Sequence, residues 1–170
     1  MEWRSRVRTI PDFPTPGVLF RDVLPVFADA DALQALMAEL TPRAMTLAPD
    51  VIVAPEARGF LVGAPLADRL HRGLLAVRKP GKLPGPLVSQ DYALEYGISR
   101  LEASAAVDLA GRRALVVDDV LATGGTVEAA AGLVRRLGGE LAGFLFLMEL
   151  QALGGRDRLR MAPVDALWTV

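Results

Sequence analysis

The sequence predicts an α/β fold: one domain over 1–170, with a mostly parallel central sheet and helices on both faces. Short apolar runs bounded by Gly, Pro or Asp recur along the chain, and helical patterns lie between them at the spacing of βαβ units. The length of 170 residues gives one core and no room for a second full-sized domain. The runs 51–54, 74–77, 114–117 and 141–148 predict buried strands. From Asp31, Leu33, Leu36, Met37 and Leu40 follow helical spacing, with Asp29 or Asp31 as N-cap and Pro42 marking an end or a kink. Residues 60–70 predict a second helix, more apolar than the first. The third covers 126–137, where Val127, Ala130, Val134 and Leu137 share a face and Gly138 with Gly139 supplies the stop. Two segments break the alternation. Residues 11–25 hold four prolines, and 79–90 contain Pro80, Gly81, Pro84, Gly85 and Pro86, so both read as functional loops.

Composition narrows the function. The chain is 52% hydrophobic and 23% charged, with a mean hydropathy of +0.32, which excludes a disordered chain. Nineteen basic residues against 20 acidic ones leave a net charge of -1, so no basic footprint for nucleic acid exists. With no cysteine there is no disulfide framework or thiolate metal site. The charged N-terminus and the lack of a bilayer-length apolar run predict a cytoplasmic protein without membrane contact. Only two of the basic residues are lysines, and both Lys79 and Lys82 fall in the second irregular segment.

The most informative stretch is 114–126, ALVVDDVLATGGT. An apolar strand delivers Asp118 and Asp119 to its carboxyl edge, and the small-residue loop Ala122, Thr123, Gly124, Gly125 and Thr126 then opens a helix. Backbone N–H groups, two hydroxyls and the helix N-terminus can converge there on a phosphate. Carboxylates beside a phosphate need donors to face, and vicinal ribose hydroxyls meet that need. The stretch is neither a GxxxxGK[ST] loop nor a GxGxxG turn. It predicts a 5-phosphoribose site.

This stretch resembles the ribose-phosphate signature of the type I phosphoribosyltransferases, and others resemble the adenine-specific branch of that family. Residues 10–22, IPDFPTPGVLFRD, resemble its base-binding stretch, and 56–60, EARGF, its diphosphate loop. The flexible catalytic loop is matched by 78–85, RKPGKLPG, and 92–97, YALEYG. The family often carries Gly where this chain has Ala54, here followed by Pro55.

The resemblance implies the type I fold with a small N-terminal base-binding hood. It also implies transfer of phosphoribose from 5-phospho-α-D-ribose 1-diphosphate to adenine, giving AMP and diphosphate, by a homodimer. Magnesium is implied as the cofactor, carried on substrate oxygens, because no side-chain cluster has the spacing of a protein-built site. Arg58 would face diphosphate together with a helix N-terminus. Lys79 and Lys82 would follow the diphosphate as compact ammonium groups, with Lys82 contributing to catalysis.

Phe20 would stack adenine while backbone groups at Leu19 and Arg21 read its edge, although an isolated Phe in such a loop is more often a core plug. Arg21 could be oriented by Asp22 or reach the base. Glu95 is the acid/base candidate for the adenine proton, and Tyr96 would close over the site. Tyr92 fits equally a strand with alternating aromatics. His71 reads as a helix C-terminal cap with no catalytic role. The rival readings are a 6-oxopurine phosphoribosyltransferase and a regulator that senses the donor; the latter lacks the length and basic patch for a DNA-binding domain.

Overall fold

The computed structural model describes residues 2–94 and 97–170, which form two compact units, 1–42 and 43–170. In the first, a 3-10 turn at Trp3–Arg6 precedes an antiparallel hairpin of β1 (Arg8–Pro11) and β2 (Leu19–Asp22). Short α1 (Leu24–Ala28) follows, and α2 (Ala30–Thr46) carries the boundary between the units. Asp29 is the cap of α2, its Oδ1 accepting the Ala32 N–H at 2.9 Å. The helix continues past Pro42 to Thr46, so that proline does not end it. The irregular reading of 11–25 is corrected by β2 and α1. Pro25 stands in the first turn of α1, where a missing N–H leaves no helical bond unmade.

The second unit is built on one parallel sheet in the order β4-β3-β7-β8-β9. Its strands are β3 (Val51–Pro55), β4 (Gly73–Val77), β7 (Arg113–Leu121), β8 (Glu140–Glu149) and β9 (Val164–Thr169). All four apolar runs become strands of this sheet. Helix α3 (Arg58–Leu70) follows β3 and begins two residues before the expected start; His71 caps it with φ 52°. Helix α4 (Gly125–Arg136) follows β7.

Strand alternation explains why helices cover both faces. Gly63 of α3 packs on Ile52 and Ala54, whereas Val51, Val53, Ala114 and Val116 join the buried cluster that contains Val127, Ala130 and Val134 of α4. A second hairpin, β5 (Leu87–Leu94) with β6 (Gly97–Ser104), adds Leu101 and Ala103 to that cluster. The irregular segment therefore ends at Pro86, and 87–90 are strand. Half-buried residues there support pairing with β6 although the prolines just before them do not.

From β3 the chain moves outward to β4 on one side, and β7 lies on the other. The sheet order thus reverses between β3 and β7, and the crevice at their carboxyl ends is where open α/β sheets take ligands.

Candidate active site

That crevice holds a cavity of about 400 Å³. Its walls are Glu56, Ala57 and Arg58 after β3, Asp118 to Val127 after and along β7, Lys79, and Tyr92, Ser99 and Leu101 of the hairpin. The buried backbone of β7 fixes the acidic pair: Ala114 to Val117 are fully buried, so Asp118 and Asp119 enter the cavity from a rigid strand. Asp119 is itself only 1% exposed. Burial pushes the Asp118 carboxyl well above the usual carboxylate range, and the charge of Asp119 beside it adds to the shift. Burial raises Asp119 as well, and the Arg58 guanidinium opposes it. Arg58 Nε stands 2.8 Å from Asp119 Oδ2.

Two helices begin at the cavity without a side-chain cap. Arg58 opens α3 after Ala57, and Gly125 opens α4 after Gly124. Their first N–H groups point away from their own helical bonds and are available to anions, with the positive end of each helix behind them. Gly124 has φ 83°, a left-handed conformation that other residues adopt only with strain, and its carbonyl accepts the Glu128 N–H at 2.9 Å. In the loop, Gly124 and Gly125 are buried, Thr126 is half-buried and Thr123 is exposed.

The expected residues fall into four groups. Asp118, Asp119, Ala122, Thr123, Gly124, Gly125, Thr126, Arg58 and Lys79 all line the one cavity. Lys82 is exposed and does not line it; its carbonyl accepts from Arg78 Nη1 at 3.4 Å, while Gly81 N–H donates to Glu102 Oε2 at 3.2 Å. Glu95 and Tyr96 lie outside the described residues. Leu19, Phe20 and Arg21 form strand β2 in the first unit.

Phe20 is half-buried rather than a core plug, and meets the Phe13 ring edge-on at 5.1 Å. Arg21 is not oriented by Asp22. It donates to Thr9 Oγ1 across the hairpin, while the buried Asp22 pairs with Arg8 and accepts the Leu24 N–H at 3.0 Å. Neighbouring strand residues face opposite sides, so Arg21 and Asp22 cannot share a face.

Sequence reasoning assigned no role to Glu56, Ser99 or Leu101. Glu56 Oε2 lies 2.7 Å from Arg78 Nε and joins the two loops next to the cavity. Alternating buried positions along β6 are the signal that would have found Ser99 and Leu101. Among the described residues no group of three or more His, Cys, Asp or Glu could hold a metal ion, and no helix is long and apolar enough to cross a membrane.

Known proteins share this arrangement. The model of the phosphoribosyl transferase domain matches residues 28–164. An adenine phosphoribosyltransferase of Parasynechococcus marenigrum is 50% identical over 94% of this chain and 92% of its own length. The crystal structure of the enzyme of that name from Thermoanaerobacter pseudethanolicus superposes with a TM-score of 0.94 at 46% identity, covering 98% of this chain and 96% of its own. The Saccharomyces cerevisiae adenine phosphoribosyltransferase, solved with an imino-altritol bisphosphate and adenine, gives 0.90 at 39% identity, with 97% and 96% covered. The chain belongs to the adenine phosphoribosyltransferases, a family of the type I phosphoribosyltransferase fold.

Proposed function

We propose that this chain transfers phosphoribose from 5-phospho-α-D-ribose 1-diphosphate to adenine, releasing AMP and diphosphate. One observation carries the reading: a single cavity is lined by two uncapped helix N-termini and by an adjacent pair of carboxylates, Asp119 buried and Asp118 half-buried. A ligand with an anion at each end and hydroxyls between them satisfies all of these groups at once. The 5-phosphate takes the loop Ala122 to Thr126 at the start of α4. The diphosphate takes the start of α3 with Arg58, Lys79 and Lys82. The ribose hydroxyls donate to Asp118 and Asp119, replacing the hydrogen bonds to water that burial denies them.

As the C1–O bond to diphosphate breaks, positive charge grows on the ribose ring, and the ionised pair stabilises it. Adenine N9 bonds to C1 and its proton leaves, with Glu95 as the acid/base group and Tyr96 closing the site. Phe20 stacks the base, and the backbone at Leu19 and Arg21 reads its edge. Because acidification protonates the pair at a higher pH than ordinary carboxylates, donor affinity falls with decreasing pH sooner than model carboxylates would predict.

Two carboxylates without a larger cluster fit a magnesium ion held chiefly by donor oxygens and water. When bound, magnesium neutralises charge on the departing diphosphate. We extend the proposal to one working domain over 1–170, a homodimer and a cytoplasmic setting, the dimer being testable by light scattering. Diphosphate release with the donor, Mg²⁺ and adenine, hypoxanthine, guanine or xanthine in turn tests the function. Adenine should be used first. Preference for a 6-oxopurine overturns the specificity, and donor binding without turnover points to a regulator.

A further inference from the structure

The phosphate loop leans on a part of the chain that the proposed chemistry leaves unused. After β8 the backbone makes two 3-10 turns, Gln151–Leu153 and Gly155–Leu159, joined by Gly154. Leu150 N–H donates to the carbonyl of Leu121 at 2.9 Å, which ties the start of this segment to the residue preceding the loop. Gly155 is buried against the loop itself. A methyl group built on it would overlap the Ala122 carbonyl and come within 3.0 Å of the Gly124 nitrogen. The reciprocal contact is also close, since a methyl on Gly124 would stand 2.8 Å from the Gly155 carbonyl oxygen. Gly155 has no positive φ, so its requirement for glycine is one of space alone. Further along, Arg158 Nη1 would lie 3.1 Å from a methyl on Gly125.

The segment is itself clamped. Arg156 grips both carboxylate oxygens of buried Glu149 and donates to the Val164 carbonyl at 2.7 Å. Leu159 is wholly buried in the core. A rigid wall therefore stands behind the backbone whose N–H groups must converge on one anion, and displacement of such donors by about 1 Å is enough to lose much of their effect.

We propose that Gly155, held by the Arg156–Glu149 pair, is a positioning residue that sets the curvature of the 122–125 loop and hence its affinity for a 5-phosphate. The inference rests on the proposed reading of that loop. It acts through the backbone of Ala122 and Gly124, not through contact with the ligand.

The test compares AMP with adenosine, which differ only in the phosphate, by calorimetry on the full chain. Gly155→Ala should weaken AMP by at least about tenfold, the order of one charge-assisted hydrogen bond, while adenosine stays within about twofold. Under turnover the KM for the donor should rise by a similar factor with kcat changed less. Arg156→Lys keeps the charge opposite Glu149 but loses the fork, and should show the same selective loss at about threefold. An AMP-to-adenosine ratio unchanged in Gly155→Ala, or an equal weakening of both ligands, overturns the proposal. If Gly155→Ala does not fold, the ratio in Arg156→Lys decides by the same criterion. A wild type that fails to prefer AMP sinks the proposed function and this inference with it, whereas a wild-type preference that is undiminished in both variants sinks the inference alone.

Discussion

The two segments of the second unit to which we assign phosphate contacts are built in opposite ways. The loop after β7 grows from a strand whose Ala114 to Val117 are fully buried, runs straight into a twelve-residue helix and is backed by the clamped 3-10 turns. The segment 79–86 is mostly exposed and rich in Gly and Pro, and it is tied down through its backbone, by Gly81 N–H to Glu102, the Lys82 carbonyl to Arg78 and the Pro86 carbonyl to Ala105 N–H. The first positions backbone N–H groups that cannot move far. The second carries flexible ammonium groups, one at the cavity and one outside it. A site that must hold one phosphate through the reaction and release the other as diphosphate has use for both constructions.

Substitutions can break that contrast. The largest effect is expected for Asp119→Asn, which removes the charge that faces Arg58 and that we assign to the ribose; kcat/KM for the donor should fall by about 10²- to 10³-fold in a diphosphate-release assay. Lys82→Arg should lower kcat by about three- to tenfold and leave AMP affinity within about twofold, since a guanidinium fork does not replace a compact ammonium. Equal losses in turnover and AMP binding would show that the two segments act alike.

Asp118→Asn separates stability from activity. A carboxyl whose folded pKa is raised stabilises the fold at low pH and loses that contribution as pH rises through the folded value. The Asn variant should thus melt a few degrees higher at pH 7.5, on the order of 1 kcal/mol, although its donor use falls. The gain should vanish below pH 3.8, the ordinary Asp value, where the wild-type carboxyl is neutral in both states. The smallest change belongs to Glu102→Ala, which frees Gly81 N–H. Stability should shift by less than about 0.5 kcal/mol, and the KM for diphosphate in the reverse reaction should rise about twofold.

Legibility in the sequence followed burial. Residues 114–126 were readable because a buried apolar run, its acidic end and a glycine turn are contiguous, so the local pattern and the strand–loop–helix unit coincide. Strand β9 was missed because it lies at the edge of the sheet, half-buried, with Asp165 turned to Arg43. Of the β5–β6 hairpin only the strand alternative at Tyr92 was legible, and β5 bears it out; the rest was hidden because half-buried residues give only a weak alternation and the prolines that precede β5 suggested that irregularity continued. Arg21 shows a different limit. Its partner Thr9 is adjacent only through the register of β1 with β2, which nothing near Arg21 in the chain specifies.

The reversal of strand order between β3 and β7 also has a kinetic side. The 122–126 loop with its strand and helix is contiguous, but the opposite wall at Glu56 to Arg58 arrives only when Val53 pairs with Val116, a partner far away in the chain. Closing so long a loop is slow compared with forming α4. A refolding chain regains helical signal before it regains a cavity, and the return of ligand binding is a clock for the pairing of these two strands.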